Sequence, residues 1–166
     1  RQVLAEKYNF EPYTAFKRIA LAPSSYLTSA DIRDFLAENK VYISSGEAHD
    51  LLRTWDLNKE AISPTASKSA YRNFILINDR FLGAVLPRTD SSLRQRATNR
   101  DAYSTDDGRL PYEVEYALVR LFEEELNSLQ RTEKLKRSLN IAYDYTTGRA
   151  FTALDYDAKN FIIPEE

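Results

Sequence analysis

The chain has 166 residues, with 23 lysines and arginines against 25 aspartates and glutamates, one histidine, four glycines and neither cysteine nor methionine. Without cysteine there are no disulfide scaffolds, thiolate zinc sites, iron–sulfur clusters or cysteine nucleophiles, and one histidine rules out a histidine-built metal site or a two-histidine relay. A formal net charge of −2 lacks the basic excess of a nucleic-acid partner, and 43% hydrophobic residues with a mean hydropathy of −0.53 describe a globular, water-soluble chain.

The longest apolar run, Phe74-Ile75-Leu76-Ile77, is far below the roughly 18 residues of a membrane span, and the first thirty residues carry no signal-peptide pattern. The expected location is cytoplasmic, with no membrane partner. A chain that starts at Arg1 and has no methionine is expected to be part of something longer.

Taken in order, Tyr13, Phe16, Ile19 and Ala20 recur at three-and-four spacing, one face of a helix over 13–20. Thr28 followed by Asp31 reads as a capping box opening a helix that buries Ile32, Phe35 and Leu36 and ends near Asn39. Ser44 and Glu47 repeat the device before a helix burying Ala48, Leu51, Leu52 and Trp55. A fourth helix follows Asn78 or Asp79 with Phe81, Leu82, Val85 and Leu86 inward, stopped by Pro87. Residues 88–111 read as an arginine-rich linker. Pro111 opens a long helix reaching about Tyr143, striped by Val114, Leu118, Leu121, Phe122, Leu126, Leu129, Leu135 and Leu139.

Two helix pairs leave two loops of interest. The loop from Ala20 to Asp31 has the twelve-residue length of an EF-hand loop, with Leu27 at the aliphatic eighth position. Its ligand positions are Ala20, Ala22, Ser24 and Asp31, and Ser25 stands where glycine is wanted, so one carboxylate remains. The second loop offers Asp56, Asn58 and Glu60 at positions 1, 3 and 5, but is either out of register at Ile62 or split by an insertion that puts Arg80 where the closing glutamate belongs. This degenerate loop is expected to be empty. Leu27 pairs with Ile62 or with the 75–77 segment.

A third loop, 155–166, is the best calcium candidate: Asp155, Asp157 and Glu166 at positions 1, 3 and 12, Asn160 at the turn and Ile162 at position 8. Lys159 at position 5 places a cation in the cage. No cofactor is required by this reading, and Ca2+ at 155–166 is the one candidate.

The start of the chain recurs at a constant offset of 135 residues. Tyr8-Asn9-Phe10 aligns with Tyr143-Asp144-Tyr145, Ala15-Phe16 with Ala150-Phe151, Leu4 with Leu139, Ile19 with Leu154, Tyr26-Leu27 with Phe161-Ile162, and Asp31 with Glu166. A fixed period is the mark of a tandem array. The expected architecture is all-α: an EF-hand pair of four short helices with a small two-strand loop pairing over 1–87, the linker 88–111, a long connecting helix 112–143 and the truncated start of a second unit over 144–166.

Several stretches carry a family likeness: Ala15-Phe16-Lys17-Arg18-Ile19, Phe35-Leu36, Leu51-Leu52-Arg53-Thr54-Trp55-Asp56-Leu57-Asn58, Ala84-Val85-Leu86-Pro87 and, most specific, Leu110-Pro111-Tyr112-Glu113-Val114-Glu115-Tyr116-Ala117-Leu118-Val119-Arg120-Leu121. With these the chain resembles EF-hand-pair repeat proteins of protist cilia and flagella, built of calmodulin-like pseudo-EF-hand modules. The resemblance implies an axonemal, cytoskeletal location and, in some members, attachment to doublet microtubules, so that tubulin, other axonemal proteins and neighbouring modules are the implied partners. It departs from the family pattern at Ala20, at Ala22 and in the insertion after Glu60.

Arg88, Arg94, Arg96, Arg100 and Arg109 are the candidate partner-binding residues, able to dock on an acidic surface or to serve as a solvated linker. The long helix could pack on a partner or fold back on its own hands. With no phosphate loop and no nucleophile beside a histidine base, no catalytic residue is assigned. Two readings follow: a structural module of a tandem EF-hand array whose hands mostly do not bind calcium, or a calcium sensor or buffer acting through the third loop and further hands.

Overall fold

A computed structural model describes residues 1–20, 26–56, 76–105 and 107–162, with the side chains of Asp56 and of residues 76–79 not described. The chain is all-α in character, with eight helices and one two-residue ladder among the described residues. It divides into two compact units, Arg1–Leu126 and Asn127–Glu166.

The first unit begins with α1 (Gln2–Glu6), a single turn that periodicity does not reveal. Helix α2 (Pro12–Ile19) is launched by Pro12, whose ring fixes φ and whose missing N–H costs nothing in a first turn. Glu11 is its N-cap, its carboxylate accepting from the amides of Tyr13 (2.8 Å) and Thr14 (2.6 Å) and from the Thr14 hydroxyl (2.7 Å). Strand β1 (Tyr26–Leu27) leads into α3 (Ser29–Glu38) through the expected capping box. The Thr28 amide donates to Asp31 Oδ2 (2.7 Å) and the Asp31 amide to Thr28 Oγ1 (3.2 Å). Asp31, counted above as the twelfth position of a loop, is thus committed to starting a helix.

Helix α3 ends in a Schellman turn, the Val41 amide donating to Leu36 O and the Lys40 amide to Ala37 O, with Lys40 at φ 65°. Ser44 and Glu47 cap α4 (Ser45–Asp56) reciprocally, as their spacing requires. Strand β2 (Leu76–Ile77) pairs antiparallel with β1, Leu27 opposite Leu76 and Tyr26 opposite Ile77, so the partner of Leu27 comes from the 75–77 segment. Helix α5 (Asn78–Val85) follows at once.

Packing follows the apolar faces: α2 lies on α3 and α5, and α4 on α3 and α5. Phe10, Phe16, Ile19, Leu27, Ile32, Phe35, Leu36, Leu51, Leu52 and Phe81 form one buried core, with Phe16 and Phe81 edge to face at 5.5 Å.

Residues 88–111 are more than the expected linker. They contain α6 (Ser91–Thr98), N-capped by Asp90, whose carboxylate accepts from the Leu93 amide at 2.8 Å, and its buried Leu93 and Ala97 lie on the side that packs against α1. The two residues are four apart, a one-turn stripe too short to stand out in a polar stretch. Beyond α6, Arg100 reaches back: its guanidinium donates to the carbonyls of Lys7 and Phe10, both at 2.6 Å, and of Ala5 at 2.9 Å. The Tyr103 amide donates to Thr14 Oγ1 at 3.2 Å and its hydroxyl to Asn9 O at 2.8 Å.

Lysine cannot imitate a planar fork that holds three carbonyls. Arg100→Lys is therefore expected to cost about 2–3 kcal/mol in urea denaturation, with faster amide exchange over residues 2–10; a change within about 0.5 kcal/mol would show that the clamp is ornamental.

Helix α7 (Tyr112–Ile141) starts after Pro111. Its first half belongs to the core of residues 1–126: Val114, Leu118, Phe122 and Leu126 are buried, and the Phe122 ring lies 5.9 Å from Phe35 and 5.0 Å from Trp55. The choice left open by its stripe is settled there: this half folds back on its own helices. The rest of α7 and α8 (Thr147–Leu154), N-capped by Thr146, make up the ordered helices of the second unit.

Candidate functional site

Three places carry the candidate chemistry. The first is the turn after α8. Asp155 is buried and uses both carboxylate oxygens on its own backbone, accepting from the Lys159 amide (2.9 Å) and the Asn160 amide (2.7 Å). That clasp bends the chain through two left-handed residues, Ala158 at φ 53° and Asn160 at φ 65°, so asparagine takes the sharp-turn position that calcium loops give to glycine. The Asp157 carboxylate faces the Lys159 ammonium at 3.5 Å, and the same ammonium lies 5.6 Å from the centre of the Phe161 ring. Asp155 and Asp157 lie on the same turn, the Lys159 ammonium faces Asp157, and Glu166 lies outside the described residues.

Of the second candidate loop, Asn58 and Glu60, with Ile62 and the insertion up to residue 75, lie outside the described residues, and Asp56 is placed only as the last residue of α4. Residues 21–25 of the first loop also lie outside them. Among the described residues no group of three carboxylate or imidazole side chains is arranged to hold a metal ion.

The second place is the arginine segment, whose members differ in exposure and in what they hold. Arg88, Arg96 and Arg109 are exposed and Arg94 is half-buried, while Arg100 is spent on the three carbonyls of the first turn and is a structural clamp. Arg94 and Arg96, two apart on α6, leave that helix in different directions.

The third place was not foreseen. Arg18, at the end of α2, has its side chain almost wholly covered and donates to Glu115 of α7, Nη2 to Oε1 at 2.7 Å and Nε to Oε2 at 3.2 Å, and to Glu38 of α3 at 2.7 Å. Its guanidinium also stacks over Phe35 at 5.2 Å. Glu115 accepts further from the Leu110 amide (2.9 Å) and from Asn39 Nδ2 (3.2 Å). Burial opposes both charges and the hydrogen bonds outweigh it, so the Glu115 carboxyl lies below its ordinary value and the Arg18 guanidinium above its own.

Over this pair opens a cleft of about 620 Å³ between the end of α3 and the start of α7. Its wall carries two exposed tyrosines, Tyr112 and Tyr116, stacked at 6.1 Å with ring planes 21° apart, over buried Leu110 and Val119. Lys40 and Arg109 stand at the rim, and neither has a carboxylate partner among the described residues. The arrangement offers aromatic faces and an apolar patch of Leu110 and Val119, among three cations (Lys40, Arg109, Arg120) and three carboxylates (Glu38, Glu115, Glu123), a binding surface of mixed charge. The sequence signal for it was Tyr112 and Tyr116, two aromatics four apart on the outer side of the long helix's first turns.

No family model, curated protein or solved structure matches the chain. No helix among the described residues is long and apolar enough to cross a membrane.

Proposed function

We propose that the chain is a structural binding module of a tandem array of EF-hand-like pairs, a doublet-microtubule component of the ciliary axoneme whose hands keep their shape mostly without calcium. The observation that carries the array reading is the repeat at backbone level. Helix α2, Pro12–Ile19, and helix α8, Thr147–Leu154, begin and end 135 residues apart. The turns before them match too: the Phe10 amide donates to Lys7 O as the Tyr145 amide does to Ala142 O, and the Ala20 amide to Phe16 O as the Asp155 amide does to Phe151 O. A period kept in the hydrogen bonds supports a repeated module.

The motif resemblance from Ala15-Phe16 to Leu110-Pro111-Tyr112 supports the ciliary assignment. Asp31 serving as a helix cap and Lys159 facing Asp157 support hands that hold their form with side chains of their own. The paired loops joined by β1 and β2 fit an EF-hand pair in the same sense.

For docking, the cleft beside Tyr112 and Tyr116 brings stacked aromatic faces next to Lys40 and Arg109, and these four residues are the contact assigned to an acidic partner such as a tubulin surface. Co-sedimentation of residues 1–166 with stabilised microtubules is expected to give saturable micromolar binding that weakens with salt, and to weaken at least fivefold in the Tyr112→Ala, Arg109→Ala double variant. No pelleting above the tubulin-free control at low salt would overturn the axonemal reading.

The alternative, a calcium sensor or buffer using the 155–166 loop, is favoured by the Asp155 clasp and the left-handed Asn160. Its mark would be a micromolar calcium isotherm lost in Asp155→Ala.

A further inference from the structure

Four residues of the second unit, Leu139, Phe151, Leu154 and Ile162, are 49%, 38%, 52% and 43% exposed, whereas Leu4, Phe16, Ile19 and Leu27, 135 residues earlier, are at most 1% exposed. The helices that carry Phe16 and Ile19 in one place and Phe151 and Leu154 in the other, and the turns beside them, match at the same offset, while Leu27 lies in β1 and Ile162 in no strand. What differs is the cover. In the first unit Leu27 is laddered to Leu76, Phe16 meets the edge of Phe81, α1 lies under α6, and Arg100 closes on the carbonyls of Ala5, Lys7 and Phe10.

Each contact defines a requirement at its counterpart. Phe161-Ile162 can ladder with an aliphatic pair. Phe151 needs an aromatic edge, which β2–α5 supplies five residues after Leu76. The carbonyls of Asn140, Ala142 and Tyr145 occupy the places of those that Arg100 holds. Among the described residues the segment of that pattern, 76–105, is engaged in the first unit, so these exposed side chains are left without the cover their counterparts have.

We propose that the apolar face formed by residues 139–162 is the receptor half of a strand–helix complementation site. Its occupant is a polypeptide segment of the β2–α5–α6 type: two aliphatic residues in a strand, an aromatic on the following helix, then an arginine beyond a second short helix. The site deepens the module reading and rests on it, because the contacts it borrows are those that join the two halves of one module. It commits to a heterologous segment and not to a second copy of the exposed face, since two copies of 139–162 would bring Phe151 against Phe151 with no strand or arginine for the ladder and the carbonyls.

The experiment uses the chain 1–166 and a synthetic peptide of residues 76–105, followed by amide NMR shifts. Saturable shifts confined to 139–162, weakened at least tenfold by Phe81→Ala in the peptide or Phe151→Ala in the chain, are the expected result. In a second arm the same segment is joined after Glu166 by a flexible Gly/Ser linker, which raises its effective concentration to the millimolar range, and protection of the Phe151–Leu154 and Phe161–Ile162 amides from hydrogen exchange is expected. No shifts in the first arm together with no added protection in the second would overturn the proposal. So would shifts confined to residues 1–126, or a concentration-dependent dimer of the free chain that covers Phe151. None of these outcomes depends on microtubule binding, so this site and the axonemal reading stand or fall separately.

Discussion

Replacing Glu115 with alanine is expected to destabilise residues 1–126 by about 3–5 kcal/mol, because it leaves the buried Arg18 guanidinium with one partially exposed partner, Glu38. The loss comes less from the attraction itself than from a charge that has given up water and found too little in return. Hydrophobic replacement of both partners, Arg18→Met with Glu115→Leu, removes the charge along with its partner and is expected to recover at least half of the loss. Urea denaturation followed by circular dichroism reads both; a Glu115→Ala change under about 1 kcal/mol would mean that the pair is far wetter than its burial indicates.

Acid adds an independent reading of the same pair. The Glu115 carboxyl is held below its ordinary value of 4.5, as burial, which acts in the other direction, is outweighed by the bonds from Arg18, Leu110 and Asn39. A depressed carboxylate contributes stability that is fully present above the unfolded-state value and is lost as pH falls through the folded one. The difference in unfolding free energy between the native chain and Glu115→Gln is thus expected to be flat above about pH 5 and to shrink below 4.5. A difference that grows on acidification would contradict the sign.

Phe122→Ala is the second large effect, expected to cost about 3–5 kcal/mol. The ring is fully buried against Phe35 and Trp55, so its removal opens a cavity that three helices must share. Trp55 is the single tryptophan, and its emission reports the change directly. Leu135→Ala, at a residue 60% exposed on the same helix, is the control and should stay within about 0.5 kcal/mol. Equal effects at the two positions would show that the first half of α7 is not part of the core.

Helix faces and starts were readable because they are local. Thr28 with Asp31 and Ser44 with Glu47 lie three apart, and Ala48, Leu51, Leu52 and Trp55 repeat on one side, so neighbours within a turn declare both the start and the buried face. The 135-residue period was readable for a similar reason, since self-similarity needs no knowledge of contacts. What escaped was long-range and polar. No spacing rule links Arg18 to Glu115 or Arg100 to Ala5, and arginines read as solvent-facing unless their partners are known. The arginine-rich stretch looked like a linker because the helix within it buries only two residues, Leu93 and Ala97; Asp90 as N-cap was the available clue. The candidate calcium ligands were judged by residue type alone, and type does not reveal that Asp31 caps a helix or that Asp155 accepts from the Lys159 and Asn160 amides of its own loop.

The Arg100 clamp has a further consequence, for the order in which the protein can be made. Its acceptors were synthesised 90 to 95 residues earlier, and Glu115 meets an arginine 97 residues upstream. Contacts of such long range must pay loop-closure entropy before they repay it. On the ribosome, α2 to α5 can therefore emerge with their apolar faces drawn up yet unsealed, and the fold closes only when Arg100, Glu115 and Phe122 have cleared the exit tunnel. A nascent chain stalled before Arg100 should be digested readily by added protease, and one released beyond Leu126 should resist.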